Sequence, residues 1–444
     1  MISRLRNFIH NSSNQIDERI LAITAILLVA LAISYAAPAA QNFGKSQSAF
    51  PATTCPAKLG DGTSTAFLPK SKTAVRHVAK KSLKFYNSQG STENILSSAL
   101  LIDSNPGTSF AINTSANGLG SVICDSGSPD QWFVGGSGGL TSKAQLDIIN
   151  SGLSPAVVEI TGYSSKTVIP KVTVTVKANS DRTVFLDALV PGEDSVVLHV
   201  VTRSGRVTSF LFDQRRKGLA ALGSDFVNSQ AEPQRKLVIP TLMRSSNGNV
   251  SSTLRILVPG NLDANVKLTI NSGDGAFTPL GFDGRTVPHG KVLDIPLADL
   301  TSTTPMSIII DSDQPVVASA LTRLTGGDFA WATPVAPLNT VALNFTGLSP
   351  QLVFTGTDIN VGITWKNLNG KKLRTRVTGS DIAFWSPGKG GIKSVTFTAD
   401  AKKPVYAGVI LRTSSGRIAY LPLSAGAALE KSTLPLVDVH TLSR

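Results

Sequence analysis

The sequence predicts an all-β protein, in which tandem antiparallel β-sandwich domains follow one N-terminal transmembrane helix. Three observations carry this prediction. Beyond Gly127, short β-rich runs follow one another with glycine, proline and asparagine between them, as in antiparallel sandwiches. An apolar run that leads through a turn to an aromatic residue recurs three times. One long apolar stretch lies near the N-terminus, and nothing later in the 444 residues resembles it.

The apolar stretch Ile20–Ala37 is predicted to be a membrane anchor. Its eighteen residues carry no charge. As a helix rising about 1.5 Å per residue they would cover roughly 27 Å, close to the hydrocarbon thickness of a bilayer. Three arginines precede the stretch, which favours a cytoplasmic head at residues 1–19 and an extracytoplasmic remainder. The alternative is a cleaved secretory signal with its processing site at residues 37–39. Both interpretations place the large C-terminal part outside the cytoplasm, and the first fixes it to the cell membrane.

The cysteine content agrees with an exported protein. The chain has 2 cysteines, Cys55 and Cys124, and both follow the apolar stretch. An even pair in an oxidising compartment is most simply one disulfide. We therefore predict that Cys55 and Cys124 are joined.

The charge balance points to anionic partners. Lys and Arg number 42 against 29 Asp and Glu, a net charge of +13, of which residues 41–444 hold +12. Such a balance bears on solubility and association rather than on fold. Nucleic acid would be an odd partner for an exported domain, so we expect an anionic cell-wall polymer or lipid headgroups instead.

Between the anchor and the sandwiches we predict a linker and a membrane-proximal segment. Residues 38–54 are polar and without periodicity, as in a tether, and residues 55–130 form the predicted disulfide-bearing β segment. From Lys58 to Lys84 the chain has seven basic residues and one acidic residue. Two interpretations stay open for this run: a solvated face, or contact with the outer leaflet or an anionic wall polymer.

The clearest single strand lies in the first predicted sandwich. The run Lys171–Lys177 alternates strictly between valine and threonine. This period predicts a strand that places Val172, Val174 and Val176 on a core face and the threonines between them in water.

A recurring pattern divides the rest of the chain. An apolar strand ends at Arg203, at Arg323 and at Arg412; each time the chain turns at a glycine and returns with an aromatic residue, which predicts a hairpin. The arginines are 120 and then 89 residues apart, so the repeated units have the size of domains. The predicted sandwiches and the tail after them span residues 131–236, 237–340, 341–434 and 435–444.

These motifs resemble an actinobacterial family of single-pass, membrane-anchored envelope proteins of unassigned function. The likeness rests on the exported anchor, a cysteine shortly before Gln131–Gly136, the Leu-x-Ile-x-Asn-x-Gly strand that begins at Leu146, and the Pro-Val-Val-Ala strand that begins at Pro315. It covers most of residues 50–430. The resemblance implies a role in the cell envelope, beside glycan-assembling machinery, and it brings no catalytic residues.

A search for chemistry predicts no catalytic residue, no metal ligand set and no cofactor. Ser137 formally matches a Gly-x-Ser-x-Gly nucleophile elbow, but it lies in a glycine cluster between β-runs, where no strand-to-helix turn is expected. The pattern Asp-x-Asp at Asp311 and Asp313 predicts a turn rather than a cation site. His199 lies inside a strand without a neighbouring ligand, and no His/Cys cluster has metal spacing.

The tryptophans give the one candidate ligand site. Trp331 and Trp365 share parity with apolar neighbours and are expected in cores, whereas Trp385 alternates away from Ile382 and Phe384. Trp385 is therefore the candidate for an exposed platform on which a sugar ring stacks; the alternative is packing in a core or interface. Basic residues on either side complete the predicted site: Lys371, Lys372, Arg374, Arg376, Lys389 and Lys393.

The functional expectation is a non-enzymatic, membrane-anchored extracytoplasmic protein that binds or scaffolds cell-envelope components. The alternative is an accessory subunit of a membrane glycosyltransferase or wall-assembly complex, that is, part of an envelope protein complex. An enzyme, in the form of a glycan hydrolase with scattered carboxylates, ranks third, because the chain offers no way to select its acid pair.

Overall fold

The computed structural model describes residues 20–29, 31, 52–103, 107–166, 168–243, 250–297, 304–399 and 403–423. Thirty β-strands, numbered β1 to β30 in chain order, lie within one compact unit, Phe50–Ala428. Strands form nearly all of the regular structure in this unit, so the all-β prediction is confirmed. The paired strands described below are antiparallel.

The predicted anchor is described only in part. Residues 20–29 are helical, and their large apolar side chains, such as those of Leu21 and Ile26, are exposed. Among the residues described, no helix has the length and apolar character needed to cross a membrane. The head at 1–19, the anchor residues 32–37, nearly all of the linker at 38–54 and the tail at 435–444 lie outside the described residues.

The disulfide-bearing segment forms two four-stranded sheets, ordered β1-β6-β3-β4 and β5-β2-β7-β8. Cys55 ends β1 and Cys124 follows β8; the two are bonded and buried, with Cα atoms 4.4 Å apart, so the predicted disulfide is confirmed and joins one sheet to the other. The core between the sheets is completed by Phe210, Phe212 and Phe226 from later in the chain. The strands are β1 Thr53–Cys55, β2 Thr63–Phe67, β3 Ala74–His77, β4 Tyr86–Asn87, β5 Thr92–Ile95, β6 Leu100–Ile102, β7 Phe110–Thr114 and β8 Leu119–Ile123.

The next eight strands form the first sandwich, from two sheets ordered β13-β10-β15-β16 and β12-β11-β14-β9. A four-residue helix, Leu186–Leu189, follows β13. The strands are β9 Asp130–Val134, β10 Gln145–Asn150, β11 Ala156–Ser164, β12 Val168–Val176, β13 Ser180–Phe185, β14 Val196–Ser204, β15 Val207–Lys217 and β16 Ala220–Val227.

The alternation predicted for β12 is right at two of three valines. Val174 and Val176 are buried and Thr173 and Thr175 are exposed. The prediction was wrong at Val172, which is 38% exposed. Val172 pairs with Ile160, where the register of β11 and β12 shifts. From Val172 back to the start of β12, the side chains are exposed or half-buried, so this part of the strand lies outside the core.

The hairpin predicted around Arg203 was also wrong. β14 pairs with β11 and β9, whereas β15 pairs with β10 and β16, so the turn at Gly205 carries the chain from one sheet to the other. Gly205 has a φ of 88°, and a Cβ there would lie 2.5 Å from the Cβ of Ala156. The crossing therefore needs glycine.

The second sandwich is organised by β23, a strand of 19 residues. The first part of β23 pairs with β17 and β19, and the second part pairs with β18 and β24. Arg323 pairs with Phe329, so the hairpin predicted at this arginine is confirmed. The strands are β17 Gln234–Leu242, β18 Val250–Leu257, β19 Ala264–Ser272, β20 Gly275–Phe277, β21 Asp283–Val287, β22 Leu293–Pro296, β23 Met306–Leu324 and β24 Phe329–Ala332.

The third predicted sandwich, for which we keep that name, is a single six-stranded sheet organised around β26, a strand of 16 residues. One side of β26 pairs with β29 and then β28, and the other side pairs with β27 over nearly its whole length. β29 and β30 form the hairpin predicted at Arg412. The strands are β25 Thr340–Asn344, β26 Gln351–Lys366, β27 Lys372–Trp385, β28 Ser394–Ala399, β29 Tyr406–Arg412 and β30 Ile418–Leu423.

Buried polar contacts fix the sandwiches to one another. Arg255 of β18 binds the carboxylate of Asp294 through Nε and Nη2, at 2.7 and 2.8 Å, and donates through Nη1 to the carbonyl oxygen of Gly136 at 2.8 Å. Its guanidinium also lies 5.1 Å from the ring centroid of Trp331, which is buried as predicted. On the third sandwich, the Tyr420 hydroxyl accepts a hydrogen bond from the Met243 backbone N–H.

Candidate functional site: the basic face and tip groove of the third sandwich

The predicted basic residues gather on the hairpin β26–β27. An Asn-Gly pair closes it: Gly370 has a φ of 80°, and the Lys371 N–H donates to the Asn367 side-chain oxygen at 2.9 Å. Glycine suits this position because it adopts positive φ without steric cost. The turn sets the register of the two strands, and with it the face that each cation occupies.

The register puts the cations on the outer face of the sheet. Lys372 pairs with Lys366, Arg374 with Thr364, and Arg376 with Gly362. On β26, the two neighbours of Gly362, Val361 and Ile363, are buried in the core. Successive side chains of a strand point to opposite faces, so the cationic positions point away from the core.

Hydroxyl groups extend this face across the next strand. Ser394, Thr396 and Thr398 of β28 lie opposite Lys366, Thr364 and Gly362, while Val395 and Phe397 between them are buried. A Cβ at Gly362 would meet only the Thr398 carbonyl oxygen, at 3.8 Å, so the centre of the face is low and open. We call this surface the basic face; it consists of Gly362, Thr364, Lys366, Lys372, Arg374, Arg376, Ser394, Thr396 and Thr398.

The cations of the basic face have no carboxylate partner among the described residues. In the part of the chain that the structure describes, no ion pair involves Lys366, Lys372, Arg374 or Arg376, and Arg376 donates to the neutral side chain of Asn360. Like charges directly opposite each other across a sheet are destabilising, as at Lys366 and Lys372. Residues 341–434 contain twelve basic and four acidic residues, a net of +8 out of +13. An anion on this face would relieve repulsion that the protein itself leaves uncompensated.

A groove of about 680 Å³ opens beside the turn of the hairpin. Its only charged lining residues are Lys389 and Arg412, and Leu368, which is 56% exposed, forms part of its wall. We call it the tip groove. Lys371 lies in the adjoining turn, and Lys393 is exposed next to it, with its N–H bonded to the Lys366 carbonyl oxygen at 2.8 Å. Lys371, Lys389 and Lys393 therefore lie at the turn end of the hairpin, and Lys372, Arg374 and Arg376 lie along the strand that leads away from it.

Trp385 is placed differently from an open platform. It is half-buried, and its ring meets that of Trp365 edge to face, with centroids 5.0 Å apart and planes at 70°. Both rings pack against the core of the third sandwich, so Trp365 also lies at the core margin rather than deep inside. Ser386 and Pro387, which follow Trp385, line the tip groove. Ligand contact by Trp385 stays a prediction, confined to the part of the ring that is accessible beside the groove.

The other sequence candidates have structural surroundings. Ser137 is buried between β9 and β10, and its hydroxyl bonds to Asp194 at 3.3 Å and accepts from the Gly139 N–H at 3.0 Å. His199 stacks on Trp132, with centroids 3.9 Å apart, and its Nε2 lies 3.0 Å from both carboxylate oxygens of Asp130.

The remaining acidic candidates are equally occupied. Asp313 accepts the Asn265 N–H at 2.8 Å, and Asp311 lies 3.8 Å from Lys236. Among the described residues, no group of three or more His, Cys, Asp or Glu side chains is placed to hold a metal ion.

Sequence reasoning missed the hydroxyl row of β28 and Arg412 in the tip groove. The alternation of Ser394–Ala399, with valine and phenylalanine between hydroxyl residues, was the available signal for the first. Arg412 had no comparable signal, because it reaches the groove through the pairing of β29 with β26.

The family of this all-β protein is shown by comparison. Residues 88–378 match the model described as "Family of unknown function (DUF5719)", and the chain belongs to this family. A comparison with curated proteins finds no match.

Solved structures give only remote likenesses. A Thermotoga maritima protein, 1070, is 18% identical with a TM-score of 0.20, over 21% of this chain and 87% of that one. An alpha-L-rhamnosidase of Streptomyces avermitilis, complexed with L-rhamnose, is 8% identical with a TM-score of 0.13, over 81% and 55%. A tetra-tandem repeat of a large adhesion protein is 14% identical with a TM-score of 0.11, over 86% and 99%. Likenesses this weak carry no argument about the fold or the function of this chain.

Proposed function

We propose that the protein is a non-enzymatic, extracytoplasmic binding protein, held at the cell membrane by its N-terminal apolar stretch, whose third sandwich binds an anionic polymer of the cell envelope. The observation that carries the proposal is the basic face, with four cations that have no carboxylate partner in the described part of the chain. The disulfide agrees with an oxidising compartment.

The shape of the basic face suits a polymer better than a small anion. The cations on β27 follow one another at every second residue, and successive outward side chains on a strand lie roughly 7 Å apart. This row matches a chain with repeated negative charges. The hydroxyl groups on β28 offer hydrogen bonds to sugar oxygens beside it. The tip groove, with Lys389 and Arg412, would receive an end or a branch of the polymer.

The test is co-sedimentation of the detergent-solubilised full chain with isolated anionic wall polymer. We expect binding at low salt that weakens steeply toward 0.15 M, where the screening length is about 8 Å. The triple variant Lys372→Gln, Arg374→Gln, Arg376→Gln should lose most of this binding. A matched triple variant, Lys70→Gln, Lys81→Gln, Lys84→Gln, removes the same charge from exposed positions of the basic run Lys58–Lys84.

The two triple variants decide between the basic regions. Equal losses in both would mean that net charge, not the basic face, attracts the polymer. A loss only in the second would move the site to the membrane-proximal segment. Anionic lipid vesicles in place of polymer show whether headgroups are held instead.

The second candidate, an accessory subunit of a wall-assembly or glycosyltransferase complex, is favoured by the edge of β27. Within the described residues, β27 pairs only with β26, and residues 372–380 are exposed or half-buried. An open strand edge is a template for a strand from another protein. A stoichiometric integral-membrane protein that co-purifies with the full chain, and is lost in a variant with proline in β27, would support this candidate.

A further inference from the structure

A second cavity, of about 340 Å³, lies where the connections between the units of the fold meet. Its lining includes residues from the link between β8 and β9, from the link between β16 and β17, and from the link between β24 and β25. Binding sites for small molecules occupy roughly 300–1,000 Å³ and occur preferentially at domain interfaces. We call it the junction cavity.

The charge of the junction cavity is opposite to that of the protein. Asp125, Asp130 and Glu232 line it, and within the described part of the chain no Lys, Arg or His does, although the whole sequence carries +13. Burial raises the pKa of the Asp125 carboxyl, because desolvation disfavours its charged form. Four side-chain amides stand beside the carboxylates: Gln131, Asn228, Gln230 and Gln234.

One buried hydroxyl of the cavity has no hydrogen-bond partner among the described residues. It belongs to Ser209, which is 2% exposed. The Asp125 carboxylate accepts the Ser126 N–H at 2.6 Å, and its second oxygen lies 3.4 Å from the Gln131 side-chain nitrogen. Buried polar groups are nearly always bonded, so each such group calls for a partner. The Ser209 hydroxyl can donate a hydrogen bond to a ligand and accept one from it.

The composition of the cavity narrows the ligand class. A metal ion does not fit, because the described carboxylates form no group placed to hold one. Phe133, Phe210 and Leu237 provide apolar lining, which suits the ring of an organic ligand. Amides offer both donors and acceptors to hydroxyl groups, and uncompensated carboxylates favour a cation.

We propose that the junction cavity binds an amino sugar, with the ammonium group facing Asp125 and Glu232 and the hydroxyl groups bonded to Gln234 and to Ser209. Such a ligand would contact all three connections at once. This site is independent of the basic face, since it prefers the opposite charge.

Calorimetric titration of the solubilised full chain with D-glucosamine, below neutral pH, tests the proposal. D-glucose is the uncharged control and D-glucuronate the anionic one. We expect glucosamine to bind about tenfold more tightly than glucose, as one charge-assisted hydrogen bond provides, and glucuronate not to displace it. Glu232→Gln and Asp125→Asn should each weaken glucosamine binding about tenfold. Asp274→Asn, which removes an exposed carboxylate remote from the cavity lining, should not.

Glu232 is exposed at the mouth of the cavity, so its substitution leaves the fold intact and decides the matter even where Asp125→Asn lowers stability. Equal affinities for glucosamine and glucose, or no binding of either, would overturn the proposal. Unchanged affinity in Glu232→Gln together with Asp125→Asn would do the same.

Discussion

The second and third sandwiches share a design and differ in what they leave open. Each is organised by one long strand, β23 or β26, that pairs with different partners along its two halves. The second sandwich has edge strands of only three to five residues at β20, β21, β22 and β24, and β17 lies against β29 of its neighbour. The third presents β27, an edge strand of 14 residues.

The second and third sandwiches also differ in net charge. Residues 237–340 contain six basic and eight acidic residues, a net of −2, against +8 for residues 341–434. In the second sandwich the buried arginine Arg255 is used to join units, whereas the cations of the third face solvent. The comparison shows that similar sheets can have different roles. The second sandwich uses its arginine to contact other units of the fold, whereas the third exposes its cations to solvent.

The largest effect on the free energy of unfolding should come from Arg255, which connects the second sandwich to the first. Arg255→Ala removes the partner of Asp294 and leaves buried carbonyl oxygens without a donor, so we expect a loss of about 3–5 kcal/mol in the free energy of unfolding. Lys291→Ala, at an exposed position of the same sandwich, should change it by less than about 0.5 kcal/mol. Denaturant titration measures both, and equal losses would show that Arg255 does not connect the two sandwiches.

Asp328 should make the contact between the two sandwiches sensitive to pH. Burial raises the pKa of Asp328 to about 7, and its carboxylate accepts the Ile418 N–H at 2.9 Å. The unfolded chain, with a pKa near 3.9, releases this proton first, so stability should fall between about pH 4 and pH 7, by up to about 4 kcal/mol. Asp328→Asn should flatten this fall, and thermal melting across the range measures it. An unchanged pH profile would contradict the assignment.

Trp385→Ala should have a smaller effect, about 2 kcal/mol, because the ring is half-buried against Trp365. The melting temperature should fall, whereas a free platform would leave it unchanged. Trp385→Phe should retain part of the packing. Loss of polymer binding by Trp385→Ala without any change in melting would favour the exposed interpretation.

The smallest effect on stability should come from the basic face. The triple variant at Lys372, Arg374 and Arg376 should unfold within about 0.5 kcal/mol of the parent, or slightly later, since it removes repulsion against Lys366. The same protein sample should show the largest loss of polymer binding. A large drop in stability would mean that the face holds the fold together, and the contrast between the two sandwiches would fail.

Prediction from the sequence succeeded where the signal is local. The period of β12, the cysteine pair and the burial of Trp331 depend on neighbours along the chain or on residue chemistry alone. The hairpin at Arg203 failed because nothing local shows that β14 and β15 belong to different sheets. The exposure of Val172 depends on where its partner strand shifts register.

The candidate sites illustrate the same limit. The basic runs around Trp385 were visible in the sequence, but their common face required the register of β26 with β27. The junction cavity left no local signal, because it assembles from three connections that lie about a hundred residues apart. Both sites depend on contacts between residues far apart in the chain, which local sequence patterns do not predict.

The shared core of the disulfide-bearing segment has a consequence for how the chain folds as it is made. Phe210, Phe212 and Phe226 complete that core, although they arrive about a hundred residues after Cys124. The disulfide can close before they are synthesised, but the two sheets it joins stay half-packed until then. Contacts of such long range slow folding and leave apolar surface open to aggregation in the meantime. The covalent link would keep the early sheets together during this wait, which makes it a device of assembly as much as of stability.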